Sequence, residues 1–341
     1  MAEEKPISVG NPIAISEDDD FVELKRSRRK WCIGGLVVGI ICLAAVIFGI
    51  VWAVTHKKYA NGSAPATPST AAPKTNHVSP YANMSKIVTY DANSPMVNKA
   101  RVFVIGDIHG CVDEFNQLLT AINYNATNDQ IILAGDLTAT GPDSIGVIRR
   151  AQQIGALCVR GNHDDKVIRM RTYENVNGAA SMSGTSVMDE GPVPDPLNFG
   201  NDHQQIATNL TDSDYAYLQS CPVIMDIPSF NAYFVHGGLD PTVPNINDQD
   251  PYSVMNVRDI NSDGDLTSSH KSGDPWSDEW NQAQNSTTSK NVYYGHAANR
   301  GLNLQTWTFG VDSGCVYGRQ LTAIELHSHN ITQVSCKKYA S

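Results

Sequence analysis

The stretch Arg101-Val-Phe-Val-Ile-Gly-Asp-Ile-His-Gly110 sets the pattern of the folded part of this chain. Its first five residues form a short, mostly apolar run of the kind that builds a buried strand. The run ends at Gly106-Asp107, and His109 follows two residues later. From Val112 to Ile122 the apolar residues recur at helical spacing instead. The sequence therefore predicts a strand, a polar turn and a helix in succession.

The same pattern recurs twice downstream. A second buried-strand run, residues 130–134, ends in Gly135-Asp136, and a third, residues 156–160, ends in Gly161-Asn162-His163. Residues 143–154, between them, have the spacing of a helix capped by Asp143 or its neighbour. Alternating strands and helices indicate an α/β fold. Six further β-type runs make the second half mostly β: residues 223–227, 232–235, 292–294, 306–311, 321–326 and 331–335.

Ligand-type side chains follow five of these predicted strands. His236 follows the run at 232–235, and His296 follows the run at 292–294. Because strand ends in an α/β sheet converge on one crevice, we expect these side chains to lie together. The group comprises Asp107, His109, Asp136, Asn162, His163, His236 and His296. One such residue alone is more often a turn or surface residue. Five strand ends with carboxylate, imidazole and amide groups, and no thiolate, predict a site for two divalent ions.

The ordered motifs GD-x-HG, GD-x₄-GP, GNHD, HGG and GH resemble those of the calcineurin-like metallophosphoesterases, and within them the phosphoprotein phosphatase superfamily. The resemblance spans about residues 100–328. The segment from Gly310-Val-Asp-Ser-Gly to Leu326 resembles the symmetrical bis(5′-nucleosyl)-tetraphosphatase branch. A membrane anchor on that branch resembles the fungal vacuolar zinc-dependent endopolyphosphatases. The resemblance implies an α/β fold in which a sandwich of two mixed β-sheets is flanked by helices.

The resemblance also implies a role for each motif residue. Asp107 and His109 would hold the first metal ion, and Asp136 would bridge both ions. The second ion would be held by Asn162, His236 and His296. The ions would be zinc, with manganese or cobalt as alternatives, and they would acidify water for attack on phosphorus. His163 would be the general acid that protonates the departing oxygen.

This sequence departs from the protein phosphatases at Ala139-Thr140, where they carry Asp-Arg. In the resembling families the Asp usually orients the catalytic histidine, and the Arg usually grips phosphate. The departure argues against a protein phosphatase and leaves open what orients His163. Arg258, in Met255-Asn-Val-Arg, resembles a later substrate-binding arginine of the family. The alternative interpretation of Arg258 is an ordinary surface residue.

An uncharged run from Cys32 to Val54 predicts a transmembrane helix. Its 23 residues would span about 34 Å, enough to cross a hydrocarbon core of ~30 Å. A cleaved signal peptide is the alternative. Five basic residues at 25–30 precede the run, and Lys57 and Lys58 follow it, which favours a cytoplasmic N-terminus. The expected organisation is a cytoplasmic tail (1–31), a transmembrane signal-anchor helix (32–54), a flexible luminal stalk (55–97) and a catalytic domain (98–341).

The catalytic domain of this single-pass protein would then lie in a lumen, with the vacuole as first choice, or outside the cell. N-glycosylation sequons agree with that side of the membrane. They start at Asn61, Asn83, Asn125, Asn209, Asn285 and Asn330. Five cysteines lie beyond the span, without a CxxC pair. Whether they form one or two disulfide bridges is left open, but for Cys158 we favour burial as a small apolar residue.

The charge balance limits the partners. The chain carries 25 Lys and Arg against 35 Asp and Glu, so we expect no nucleic-acid partner. Six basic residues near the third strand are expected to be mostly solvated, with a patch that guides polyanions as the alternative: Arg149, Arg150, Arg160, Lys166, Arg169 and Arg171. The leading function is internal cleavage of inorganic polyphosphate. The alternatives are hydrolysis of dinucleoside polyphosphates, a serine/threonine protein phosphatase, and a membrane-tethered binding module without catalysis.

Overall fold

Strands and helices alternate through the part of the chain that this computed structural model describes, namely residue 84, residues 86–284 and residues 289–341. The strands are β1 (Ile87–Thr89), β2 (Arg101–Ile105), β3 (Asp129–Leu133), β4 (Leu157–Cys158), β5 (Ile224–Ile227), β6 (Ala232–Phe234), β7 (Asp259–Asn261), β8 (Leu266–Thr267), β9 (Gly273–Pro275), β10 (Asn291–Tyr294), β11 (Asn303–Leu304), β12 (Thr308–Gly310), β13 (Gln320–Glu325) and β14 (Ile331–Ser335). The α-helices are α1 (Val112–Ala121), α2 (Ser144–Gln153), α3 (Asn162–Asn177), α4 (Asp202–Asn209), α5 (Asp212–Ser220), α6 (Pro251–Asn256) and α7 (Trp276–Ala283).

Two mixed sheets form the frame. One has five strands in the order β14-β13-β2-β3-β4, in which β2, β3 and β4 run parallel and β13 is antiparallel to both neighbours. The other has six strands in the order β1-β5-β6-β10-β12-β11. Its β6, β10 and β12 run parallel to one another. A third, small sheet has three strands in the order β8-β7-β9 and shares no strand with the other two.

The alternation of side chains along β2 explains the layering. Val102 and Val104 belong to an apolar cluster that also contains Phe234 of the six-stranded sheet. Phe103 and Ile105, which point to the other face, belong to the cluster that contains residues of α1, α2 and α3. A third cluster joins the six-stranded sheet to α6 and α7. The predicted sandwich of two mixed sheets flanked by helices is therefore confirmed for the described residues.

The predicted stalk, residues 55–97, includes a short strand in its described part. β1 lies inside the segment that we expected to be a stalk, and it pairs in parallel with β5 from Ile87 to Thr89. Its three β-branched residues form a strand because β5 offers them an edge to pair with. The predicted cytoplasmic tail and transmembrane helix lie outside the described residues. Within the described residues, no helix is long and apolar enough to cross a membrane.

Two disulfides correct the interpretation of the cysteines. Cys158 is bonded to Cys221, and Cys315 is bonded to Cys336. Cys158 is therefore not a simple apolar filler, although it is buried as expected. Cys158 is the last residue of β4, and its partner Cys221 directly follows α5, a proximity that the spacing of the cysteines does not reveal. The remaining cysteine of the described part, Cys111, is buried and reduced.

Two of the six basic residues near the third strand are buried rather than solvated. The Arg160 guanidinium lies 3.0 Å from a carboxylate oxygen of Asp165. Arg169 pairs with the same aspartate, with Glu190 at 2.7 Å and with Asp195 at 2.8 Å. Buried arginines persist only when carboxylates neutralise them, and these carboxylates come from α3 and from the segment that follows it. Both arginines are thereby removed from any polyanion-guiding surface.

Candidate metal centre

The ends of five strands converge on one site, as the sequence predicts, and all of the predicted site residues that follow these strands except His236 line a cavity of about 660 Å³. The turn after β2 carries Asp107 and His109, and the turn after β3 carries Asp136. Asn162 and His163 start α3, and His236 and His296 follow β6 and β10. All of these side chains are buried except that of His163, which is partly exposed.

The first group of ligand-type atoms surrounds His109. Its Nε2 lies 3.5 Å from Asp136 Oδ2 and 3.9 Å from Asp107 Oδ2. Its Nδ1 lies 3.0 Å from the carbonyl oxygen of Thr138. A carbonyl can only accept, so Nδ1 carries the hydrogen and Nε2 keeps the lone pair that a metal ion needs.

The second group surrounds His236. Its Nε2 lies 3.3 Å from Asp136 Oδ2 and 3.0 Å from Asn162 Oδ1, while its Nδ1 donates to the Ala134 carbonyl at 2.8 Å. His296 uses the opposite nitrogen, because its Nε2 lies 3.0 Å from the Asn256 carbonyl and Nδ1 remains for an ion. The ligand atoms of Asp136, His236 and His296 all lie within 4.8 Å of one another. Asp136 is thus common to both groups.

Two carboxylates of the site, those of Asp107 and Asp312, are destabilised in their charged form. Burial, together with the charges of Asp312 and Asp136, raises the pKa of Asp107 well above its usual range. Burial likewise raises the pKa of Asp312. Divalent cations among these oxygens and the imidazole nitrogens would offset both effects, so the donor set fits two such ions. Zinc, manganese and cobalt all suit a mixture of nitrogen and oxygen donors.

Asp312 is a site residue that we did not single out from the sequence. It follows β12 by two residues, which is the same strand-end signal that marks Asp107 and Asp136. One of its carboxylate oxygens accepts the Gly314 backbone N–H at 3.0 Å, and the side chain lines the cavity. Applying the strand-end rule to β12 would have found it.

The turns that carry the predicted ligands adopt unusual backbone conformations. His109 and Asp136 have φ of 47°, and His296 has φ of 68°. Non-glycine residues rarely occupy this left-handed region, and such outliers cluster at functional sites. Glycine is required beside them: a Cβ at Gly295 would lie 2.1 Å from Asp107 Oδ1, and one at Gly161 would lie 2.2 Å from Asp136 Oδ1.

His163 lies at the wall of the cavity. Its backbone N–H donates to Asp136 Oδ1 at 2.9 Å. Its ring makes an edge contact with that of His109, with centroids 5.0 Å apart. One ring nitrogen comes within 4.8 Å of the ligand atoms of His109 and Asp136, so geometry alone would also allow His163 to bind an ion. Its Nδ1, however, lies 3.0 Å from Nε2 of His203, a contact that the sequence did not indicate.

A family model for calcineurin-like phosphoesterases matches residues 100–333. The chain belongs to the calcineurin-like phosphoesterases. The matched range contains the whole predicted ligand set of this phosphoesterase, and the resemblance inferred from the motifs is confirmed.

Relatives of this phosphoesterase carry different substrate names. A symmetrical bis(5′-nucleosyl)-tetraphosphatase of Aromatoleum aromaticum is 24% identical over 270 residues, which cover 70% of this chain and 97% of the relative. A zinc-dependent endopolyphosphatase of Saccharomyces cerevisiae is 26% identical over 277 residues, covering 70% and 82%. A crystal structure reported as a candidate diadenosine tetraphosphatase matches with a TM-score of 0.59 and 28% identity, covering 74% of this chain and 98% of that one.

The predicted substrate-binding arginine lines the cavity of the phosphoesterase but is partly committed elsewhere. The Arg258 side chain is buried and donates to the backbone carbonyls of Ser268 at 2.9 Å and His296 at 3.2 Å. These bonds hold the guanidinium beside His296, one of the predicted ligands. The interpretation of Arg258 as an ordinary surface residue is therefore wrong, while its role toward phosphate stays a prediction.

The C-terminal segment supplies further lining that sequence reasoning missed. Tyr317 and residues 338–341 line the same cavity. The disulfide Cys315–Cys336 and the backbone bonds from Tyr339 and Ala340 to the Val316 carbonyl, at 2.9 and 3.0 Å, hold this segment in place. Lys338 thereby brings an exposed cation to a cavity where Thr140 stands in place of the family's arginine.

Proposed function

We propose that this phosphoesterase hydrolyses phosphoanhydride bonds and that its first substrate is inorganic polyphosphate, cut internally. The observation that carries the proposal is the pair of ligand groups that share Asp136 Oδ2, at 3.5 Å from His109 Nε2 and 3.3 Å from His236 Nε2. A carboxylate between two groups of nitrogen and oxygen donors is suited to hold two cations close together. Such a pair stabilises charge on phosphoryl oxygens.

Each site residue has a task in this proposal. Asp107 and His109 would hold the first ion, Asp136 would hold both, and Asn162, His236 and His296 would hold the second. Bound ions of this kind acidify water at neutral pH and neutralise the transferring phosphoryl group. His163 gives a proton to the departing oxygen. Burial lowers the pKa of His163 well below its usual range, and the negative charge of a bound phosphate opposes that shift.

The charges near the cavity support a polyanionic substrate. From residue 98 onward the chain has 15 Lys and Arg against 27 Asp and Glu, so a polyanion must be guided by local cations. Arg258 and Lys338 both line the cavity and can fill that role. These two cations come from segments of the chain that are far apart in sequence. Two separate cations suit a chain of phosphates better than a single phosphate group.

A dinucleoside polyphosphate is the second candidate, with equal support among the relatives. Tyr317 and Tyr339 line the cavity, and aromatic rings bind nucleobases by stacking. The hydroxyl of Tyr339 donates to Glu114 at 3.1 Å, which fixes that ring at the wall. A serine/threonine protein phosphatase is disfavoured by Ala139-Thr140, and a non-catalytic binding module is disfavoured because every proposed ligand position holds a ligand-type residue.

An oxidising compartment fits this proposal, and we place the catalytic domain in a lumen, such as that of the vacuole, or outside the cell. The two disulfides support this placement, because such bonds persist in oxidising compartments and are rare in the cytosol. The sequon residues Asn125, Asn209 and Asn330 are exposed and therefore accessible to glycosylation. The sequons at Asn61, Asn83 and Asn285 and the proposed membrane span at 32–54 lie outside the described residues.

A substrate panel tests the proposal. The full chain, loaded with zinc or manganese, is given long-chain polyphosphate, a dinucleoside tetraphosphate and a phosphopeptide. On a sizing gel, polyphosphate should pass through intermediate lengths before short products dominate. Release of orthophosphate without intermediates would indicate cutting from the ends. Inactivity on polyphosphate with rapid cleavage of the dinucleoside would establish the second candidate, and activity confined to the phosphopeptide would refute both.

A further inference from the structure

A second histidine stands behind His163. His203, in the first turn of α4, places its Nε2 3.0 Å from His163 Nδ1. The two rings are nearly parallel, with an angle of 20° between their planes and 5.1 Å between centroids. His203 belongs to neither group of proposed ligands and does not line the cavity.

The hydrogen-bond chemistry of this pair restricts the form of His163. A hydrogen bond between two ring nitrogens needs one donor and one acceptor. Burial, with the nearby charge of Lys166 as the next cause, lowers the pKa of His203 to about 3, so His203 stays neutral. As the proposed general acid, His163 carries hydrogen on both ring nitrogens before it gives up its proton, so its Nδ1 donates and the neutral His203 accepts with Nε2. The proton that goes to the substrate then leaves from His163 Nε2, and the same hydrogen bond keeps hydrogen on Nδ1.

The surroundings of His203 hold it in place. Asn201 caps α4 by accepting the Gln204 backbone N–H at 3.0 Å. The Gln204 side chain accepts the Gly200 N–H at 2.6 Å and donates to the Met182 carbonyl at 2.8 Å. These bonds fix the first turn of α4 on both sides. The helix contributes the buried Ala207 to the same apolar cluster as α3.

We propose that His203 is the positioning residue of this phosphoesterase: its hydrogen bond selects the His163 tautomer with hydrogen on Nδ1 and fixes the plane of that ring. The inference rests on the proposed role of His163 as general acid. It answers a question left by the sequence, since Ala139 occupies the position at which resembling phosphatases carry an orienting aspartate. The methyl group of Ala139 cannot form a hydrogen bond. The backbone N–H of Ala139 donates to the Ser144 hydroxyl at 2.9 Å.

The first test compares leaving groups in the zinc-loaded full chain. An alkyl phosphate has a leaving group that needs protonation, and a nitrophenyl phosphate has one that does not. His203→Ala should lower kcat on the alkyl phosphate by roughly 10–100-fold, the usual effect of removing an orienting partner, with little change in KM or on the aryl substrate. His203→Gln should restore most of the loss, because its amide oxygen can accept the same hydrogen bond. Gln205→Ala, at an exposed position of the same helix, is the matched control.

A double-mutant cycle separates positioning from a structural role. In the His163→Ala background, His203→Ala should cause no further loss, because there is no ring left to orient. Metal analysis should show two ions per chain in every variant. Equal losses on both leaving groups, a full further loss in the His163→Ala background, or release of an ion from His203→Ala would overturn the proposal.

Nuclear magnetic resonance gives a readout that does not depend on turnover. Ring-nitrogen chemical shifts of His163 in the zinc-loaded chain should report hydrogen on Nδ1, and His203→Ala should change that pattern. The opposite tautomer in the wild type would overturn the proposal even if kcat falls. The kinetic test of His203 uses simple phosphate esters and no polyphosphate. A failure to cleave polyphosphate in the substrate panel would therefore refute the proposed substrate, while the test of His203 could still be interpreted.

Discussion

Asp136→Asn is the substitution that probes the proposed dinuclear site most directly. Asparagine keeps the shape of the side chain, can still accept the His163 N–H that Asp136 Oδ1 accepts at 2.9 Å, and tolerates a φ of 47° better than most residues. What it removes is the negative charge. Among the proposed ligands of the second ion, Asp136 is the one carboxylate, and the others are an amide and two imidazoles. The second ion should therefore be lost while the fold is kept.

The size of the effect follows from what an ion contributes. A bound cation stabilises transition-state charge by several kcal/mol. A loss of about 4 kcal/mol corresponds to roughly a 10³-fold fall in kcat, since about 1.4 kcal/mol is a factor of ten. Metal analysis should fall from two ions per chain to one or fewer. Asp143→Asn, at the exposed cap of α2 where asparagine also caps well, is the matched control and should change neither quantity. Full activity of Asp136→Asn with two ions bound would refute the dinuclear assignment.

Other substitutions address the acid, the cations and the bridges. His163→Ala should keep both ions and lose roughly 10²–10⁴-fold in kcat on a poor leaving group, but less on an aryl phosphate; equal losses would argue for another role. Lys338→Ala should raise KM for long polyphosphate and leave KM for an aryl phosphate unchanged, and an effect on neither would remove Lys338 from substrate binding. Cys221→Ser should lower the free energy of unfolding by about 2–4 kcal/mol in denaturant titrations, and an unchanged midpoint would mean that the bridge to Cys158 does not form. Arg169→Met should lower the free energy of unfolding by about 3–5 kcal/mol, and KM for polyphosphate should be unchanged in the protein that folds. A higher KM in a stable variant would mean that Arg169 takes part in substrate binding.

The grouping of ligand-type side chains could be predicted from sequence because strand ends are local features. A short apolar run followed by Gly-Asp or by a histidine fixes both the element and the place where its side chain emerges. Five such places in one α/β chain are expected to converge on one crevice, whatever the loops between them do. In the structure that crevice lies at the ends of strands from both large sheets, since β2, β3 and β4 belong to the five-stranded sheet and β6 and β10 to the six-stranded one. The strand order and the sheet partners of β13 and β14 were not needed to find the site, and the sequence did not provide them.

The residues that were missed depend on long-range contacts. His203 lies 40 residues beyond His163 in a helix that no strand end marks, and only the packing of α4 on α3 brings the rings together. Arg169 looked like a solvated helical charge because the carboxylates that bury it, Glu190 and Asp195, follow in an irregular segment. β1 was hidden by the polar residues around it, since three residues carry too little periodicity to predict a strand.

The crowding of buried carboxylates around Asp107 also bears on how much of this protein a cell can maintain. A protein that binds an ion only when folded gains about 2.7 kcal/mol when the free ion is at one hundred times its dissociation constant. Total stability of a domain is about 5–15 kcal/mol, so losing that contribution increases the unfolded fraction that proteases degrade. With ions bound as proposed, a shortage of metal would shorten the lifetime of the chain, and nutrient supply would set its abundance as well as its activity.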